Sequence, residues 1–219
     1  MALVDDVARY YEARASEYDE TAGYTDPESE ALRAPIKARF REMFAGHTVL
    51  EIACGTGYWT PVIGEVAASV LAVDVNPPVL ALAENRCKNL SNVTFQMSDA
   101  YTLDGVPGGF SAAFGIWWWS HMPKERIPAF LGALHSKLLP GAFVLFVDQL
   151  PYDGEVRRQD ARGNTLERRV LSDARSFEVV KNFPTEEEIR QTLAGIADNV
   201  QYTEPLGEKS WNVTYNTKG

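Results

Sequence analysis

Cys54, Gly55, Thr56 and Gly57 lie between a short apolar run, Thr48 to Ala53, and a stretch from Tyr58 to about Ala67 that turns helical in pattern. Small residues at such a junction let the backbone bend sharply and approach a ligand. In open α/β sheets, the crevice at a strand's carboxyl end is where nucleotides bind. Asp74 ends the next apolar run, Ser69 to Asn76, about twenty residues past the bend, where an acidic group meets ribose hydroxyls. Val75 and Asn76 follow it and are candidates to touch an adenine. Three consecutive tryptophans, Trp117 to Trp119, cannot all enter one core, so at least one is expected to face a cofactor or acceptor pocket. Beside them, His121 can orient an acceptor or take its proton, or can simply satisfy a backbone carbonyl.

A dinucleotide site needs a third glycine, G-x-G-x-x-G, so that helix and strand pack closely around the pyrophosphate. This chain has Thr60 there, preceded by Tyr58 and Trp59, a bulky pair suited to a cofactor without a diphosphate. With Glu51 inside the strand, the run E-I-A-C-G-T-G resembles motif I of the class I S-adenosylmethionine (SAM) methyltransferases. That resemblance implies SAM as cofactor, S-adenosylhomocysteine (SAH) as product, and Glu51, Ala53, Gly55, Gly57 and Trp59 among the cofactor contacts. The run Y-Y-E-A-R-A-S-E-Y-D, Tyr10 to Asp19, resembles the N-terminal lid of many small-molecule methyltransferases. It implies that Arg14 meets the cofactor carboxylate while Tyr11 and Tyr18 close over the site. Asp99 and Ala100, after the strand that begins at Val93, are carried over as adenine contacts, and Ile116 and Trp117 at the exit of the next strand as cofactor contacts.

The elements that must position these residues alternate along the chain. Leu3 to about Phe44 reads as helices, with Val4, Val7, Ala8, Tyr11 and Ala15 at helical spacing and a second helix from Pro27 or Glu28 to Met43. Strands follow at Thr48, Ser69, Val93, Phe110 and Ala142, separated by helices at Tyr58 to Ala67, Pro78 to Leu90 and Lys124 to Leu139. Glu167 to Leu171 and Ser176 to Phe183 read as a hairpin about Asp173-Ala174-Arg175. Thr185 caps a helix with an acidic first turn, and Asn199 to Thr203 and Ser210 to Thr217 pair as antiparallel strands. The fold class is therefore α/β, and the resemblance implies the Rossmann-like class I methyltransferase architecture. It has a seven-stranded sheet with helices on both faces, an N-terminal helical lid and an inserted β-hairpin. The expected layout is one domain over 1–219, divided into lid (1–45), cofactor-binding core (46–150), substrate-side hairpin (151–183) and C-terminal helix with strand pair (184–219).

Composition narrows the partners. With 219 residues and 45% hydrophobic content the chain can bury a sizeable core. Its net charge of -9 argues against nucleic acid, whose phosphates need a basic surface. Cys54 and Cys87 give no disulfide framework and fit a reducing cytoplasm. No secretion signal or membrane span is visible. Asn92-Val-Thr94 and Asn212-Val-Thr214 are then chance matches to glycosylation acceptors. No metal is expected, and a homodimer is compatible with the chain.

Arg157, Arg158, Arg162, Arg168, Arg169, Arg175 and Lys181 concentrate positive charge in an otherwise acidic protein, interleaved with Glu167, Asp173 and Glu178. If several face the cleft, the acceptor is an anion; otherwise they make a solvated, salt-bridged hairpin. The lid run, G-T-G-Y-W-T and R-R-x-L-x-D-x-R-S-F-x-x-V-K together resemble the bacterial phosphonate O-methyltransferases of dehydrophos biosynthesis, although the tryptophan run departs from that pattern. The resemblance implies that Arg169 and Lys181 hold an anionic acceptor group and that Tyr24 approaches the transferring methyl. The expected function is O-methylation of a small phosphonate or carboxylate. The alternatives are methylation of a neutral hydroxyl or amine with His121 as base, an NAD-linked oxidoreductase, and a SAM-binding module without catalysis.

Overall fold

The computed structural model describes residues 2–153, 157–204 and 209–219, with side chains from residue 6 onward, so the helical spacing at Val4 lies outside the described side chains. Three helices lead: α1 (Ala2–Arg14), α2 (Tyr18–Thr21) and α3 (Pro27–Phe44). The entry to α3 is fixed by Asp26, whose carboxylate accepts from the Ser29 N–H at 2.8 Å, and by Pro27 in the first turn.

Then β1 (Thr48–Ile52), α4 (Thr60–Gly64), β2 (Ser69–Asp74), α5 (Pro77–Arg86), β3 (Val93–Met97), β4 (Phe110–Ile116), α6 (Ile127–His135) and β5 (Leu138–Gln149) alternate strand with helix or loop. After them come β6 (Arg157–Gln159), β7 (Thr165–Val170), β8 (Ser176–Val180), α7 (Glu186–Leu193), β9 (Ala197–Thr203) and β10 (Ser210–Thr217). The main sheet has seven strands in the order β3-β2-β1-β4-β5-β10-β9. Its pairs from β3 to β5 are parallel, whereas β10 runs antiparallel to both β5 and β9. Because β1 pairs with β2 on one side and β4 on the other, the direction of winding reverses at β1. A crevice therefore opens at the carboxyl ends of those strands.

Alternation along β1 sends its residues to both faces. Leu50 and Ile52 join a core with Phe130, Phe146, Trp119 and Trp211, while Val49 joins another with Phe44, Ile63 and Phe114. The cap and acidic first turn expected for the helix form, with Thr185 and Glu188 making a reciprocal capping box. Four local expectations change. The helix expected to reach Leu90 ends at Arg86. The helix after the glycine bend is five residues long and leaves Tyr58 and Trp59 outside it. The helix expected to reach Leu139 ends at His135, and β5 runs through Pro140-Gly141 because Leu138 pairs with Phe110. The inserted hairpin gains a third strand, β6, so it is a separate sheet in the order β6-β7-β8. Val7 and Tyr10 of α1 pack on this small sheet against Leu166, Leu171, Val179 and Val180.

Gly57 and Gly55 both take left-handed backbone, at φ 73° and 57°, but for different reasons. A Cβ on Gly57 would sit 2.7 Å from the Ala83 Cβ and 2.8 Å from its Cα, whereas one on Gly55 would meet nothing within 4 Å. Gly57→Ala should therefore destabilise the fold by about 2–4 kcal/mol, combining overpacking with strain, and Gly55→Ala by only about 1–2 kcal/mol. Urea denaturation of the two variants checks the order.

Candidate active site

The crevice is a cavity of about 190 Å³ roofed by the N-terminal helices, with Val7, Tyr11 and Tyr18 on its lid side. Its floor is the bend after β1, where Ala53, Gly55 and Thr56 line it, and one wall is Asp74 to Asn76. The far wall is Ser98 to Tyr101, and the exit of β4 supplies Ile116, Trp117, Trp118 and His121. Two non-glycine positions on its edge, Ala53 at φ 52° and Trp117 at φ 59°, hold left-handed backbone that L-residues adopt at a cost.

Asp74 organises the floor. Its Oδ2 accepts from the Gly55 N–H and its Oδ1 from the Asn76 N–H, each at 3.0 Å. Each carboxylate oxygen has a second lone pair, so the group can accept from a ligand while still holding the bend. Burial raises its pKa against the pull of those backbone donors.

A smaller adjoining cavity of about 30 Å³ shares Tyr18, Ala53, Gly55, Thr56, Ile116 and Trp117 with the first and adds Tyr24, Glu51, Tyr58 and Trp59. Glu51 is 3% exposed, its Oε2 has no hydrogen-bond partner, and burial, reinforced by Asp74, pushes its pKa up to about 8. Tyr24 stacks on Tyr58 with ring centroids 3.7 Å apart.

At the lid end, the Nδ1 of His121 lies 2.7 Å from the Val180 carbonyl, which can only accept, so that nitrogen carries the proton. Nε2 then accepts from the Tyr11 hydroxyl at 2.7 Å. Burial holds the imidazole well below its ordinary pKa, and the positive charges of Lys181, Arg169 and Arg14 push the same way. His121 is neutral and its free lone pair is taken.

A methyltransferase-domain family model matches residues 49–141. The 36%-identical match to the demethylmenaquinone methyltransferase of Tropheryma whipplei covers 25% of this chain, and the chain spans only 23% of that relative's length. The structure of DhpI in complex with SAH superposes with a TM-score of 0.76 at 32% identity, over 99% of this chain and 97% of that one. The chain belongs to the class I SAM-dependent methyltransferases. A DhpI-SAM-HEP complex matches equally well, at 30% identity and TM-score 0.76 over 97% of both chains. A SAM-dependent methyltransferase of Clostridium acetobutylicum shares the fold, with TM-score 0.67 at 16% identity over 95% of this chain and 99% of its own.

Against this methyltransferase frame, Tyr11, Tyr18, Ala53, Gly55, Asp74, Val75, Asn76, Asp99, Ala100, Ile116, Trp117 and His121 line the main cavity, and Glu51, Trp59 and Tyr24 the adjoining one. Four expected site residues line neither. Gly57 is turned to Ala83. Arg14 donates to Thr21 Oγ1, at 3.1 Å from Nε and 2.7 Å from Nη2. Arg169 pairs at 2.5 Å with Glu167, which is fully buried, and donates to the Tyr152 hydroxyl at 2.6 Å. Lys181 is buried, donating to Ser120 Oγ at 2.8 Å with Asp148 Oδ1 at 3.4 Å. The sequence reading missed Val79, Ser98, Tyr101 and Thr56 as lining residues; Trp118 belongs to the tryptophan run of which at least one was expected to face the pocket. Of those missed, only Thr56, inside the G-T-G run, carried a signal.

Glu51 gives a stability test. The unfolded carboxyl has an ordinary value of 4.5 and the folded one about 8, so between these the unfolded chain releases a proton that the folded chain keeps. Stability must therefore fall as pH rises through that window, by up to ~1.4 kcal/mol per pH unit from this group. In Glu51→Gln the decline between pH 5 and 8 should flatten, measured by denaturant titration at several pH values without ligand.

Proposed function

We propose that this chain transfers the methyl group of SAM to an oxygen of a small anionic acceptor, a phosphonate or carboxylate. Its residues fit the cofactor: the bend offers open backbone at Gly55, Asp74 keeps a lone pair on each oxygen, and Glu51 has an unpartnered buried oxygen beside the bend. Asp74 would accept from the ribose hydroxyls, Val75, Asp99 and Ala100 would border the adenine, and Glu51 would face the methionine ammonium. The relatives solved with SAH and SAM support the same assignment. When bound, the cofactor supplies a methyl group already activated by its sulfonium.

The chain's own work is then alignment and exclusion of water. Tyr11 and Tyr18 cover the cavity from the lid, and the indoles of Trp117 and Trp118 offer apolar faces to the reacting end. What supports the anionic acceptor is the placement of Lys181 and Arg169 behind the His121 wall, where with Arg14 they join burial in holding the imidazole neutral. A negative acceptor is favoured there, and a proton moving onto His121 is not. The acceptor oxygen should therefore arrive already ionised, with His121 serving to hold the Tyr11 hydroxyl. Arg169, through its outer guanidinium face, and Lys181, through its charge from behind Ser120, would supply the attraction. Tyr24, in the adjoining cavity, would border the path of the methyl.

Arg169→Gln tests this cleanly, because Glu167 keeps Arg157 and Tyr152 as donors. In steady-state assays over a panel of small phosphonates, carboxylates, alcohols and amines, acids should be the substrates. The variant should raise their KM about tenfold or more and leave SAH affinity within about twofold. Preference for neutral acceptors, or an unchanged KM, would overturn the anionic assignment. His121→Gln, which can still accept from Tyr11, should keep most activity on acids; its complete loss with cofactor binding intact would restore His121 as a base.

A further inference from the structure

The part of the lid directly over the cofactor crevice is held by polar bonds to the glycine bend. Helix α2 has four residues and no side-chain cap, so it cannot hold its own place. Asp19 on this helix accepts from Thr56 Oγ1 at 2.6 Å through Oδ1 and from Arg86 Nη2 through Oδ2. Arg86, the last residue of α5, also donates through Nη1 to the Thr56 carbonyl at 2.9 Å and lies 3.3 Å from its hydroxyl. Lid, bend and α5 thus close a ring of hydrogen bonds around one carboxylate. Thr56 lines the main cavity, and so does Tyr18, the residue next to Asp19. By contrast, α1 is fastened to the small sheet by apolar packing of Val7 and Tyr10.

The ring is placed to open. The Asp19 and Arg86 side chains are each 29% exposed, so water can replace their bonds without a large desolvation change. Arg14 on Thr21 and Arg33 on the Ala22 and Gly23 carbonyls also tie α2 and its exit, so loss of the ring would loosen α2 and Tyr18 over the bend without detaching them, while α1 stayed seated.

We propose that Asp19, Thr56 and Arg86 form a latch that sets how fast the adenosyl product leaves, with Asp19 and Arg86 as positioning residues acting through Thr56 and Tyr18. The role rests on the cofactor assignment above; the latch itself does not. Two measurements separate them. Hydrogen exchange on the ligand-free protein reads the amides of Ala22, Gly23 and Tyr24, which bond back to the carbonyls of Tyr18, Glu20 and Asp19 at 2.8, 3.0 and 2.8 Å. Stopped-flow fluorescence of Trp117 and Trp118 reads SAH dissociation.

Asp19→Asn and Arg86→Met should each speed exchange at these amides and SAH release by about tenfold, raise KM for SAM, and spare kcat. The double variant should be scarcely faster than either single one. The conservative Arg86→Lys, which keeps a charged donor for Asp19 and the Thr56 carbonyl, should hold release to within about threefold of the parent, which a loss of folding would not allow. Exchange and release both within about twofold of the parent would overturn the latch, and faster exchange with unchanged release would overturn its control of the product. If the parent protein bound no SAH, the cofactor assignment would fall and the exchange result alone would decide the latch.

Discussion

Asp74 is the interaction on which the site depends. Its carboxylate, brought to the end of β2 by a strand paired in parallel with β1 and β3, gathers the N–H groups of Gly55 and Asn76. Two chain segments that would otherwise turn freely are thereby fixed to one group. The bend after β1 is held open because the position that a side chain would fill at Gly55 is empty, while Gly57 is pinned against Ala83. One glycine serves the ligand side and the other the packing side. Helix and sheet thus meet closely without the third glycine of a dinucleotide site.

Charge divides the rest of the crevice. Asp74 stands on the wall beside the bend and Glu51 below it, kept protonated at neutral pH by burial, while Arg14, Arg169 and Lys181 act together at the lid end. The cations there are not free: Lys181 is bound into a buried set with Asp148 and Ser120, and Arg169 shares Glu167 with Arg157. Such pairs cost more to break than they contribute to stability, so their effect is to fix the place of the small sheet. Asn182 reinforces this, bonding Ser120 and Met122 of the main domain through its backbone and side chain. The same cations join burial in holding His121, on the cavity wall, below its ordinary pKa.

Much of this was legible in the sequence because the signals were local. Strand, bend, Asp74 and the Thr185 cap each follow from a few neighbouring residues. The seven strands follow from alternation of apolar runs with helical spacing. What escaped depends on partners distant in the chain. Nothing near Lys181 shows that Asp148 will neutralise it, and nothing near His121 shows that Tyr11, 110 positions away, will fill its lone pair. The tryptophan run was read correctly only in outline: Trp117 and Trp118 line the cavity, whereas Trp119 packs edge-on to Phe146 and Trp211. Strand β6 is three residues long and mostly exposed, too short to show alternation.

The central claim is that Asp74 both holds the bend and receives the sugar of an adenosyl ligand. Calorimetric titration with SAH, on the parent protein and on Asp74→Asn, tests it most directly, since the asparagine keeps the shape but replaces one acceptor oxygen with a donor facing a backbone N–H. The account predicts saturable one-to-one binding by the parent and at least about a thirtyfold weaker affinity in the variant. Equal affinity in the two proteins, or no heat of binding with SAH alongside clear binding of NADH, would contradict it.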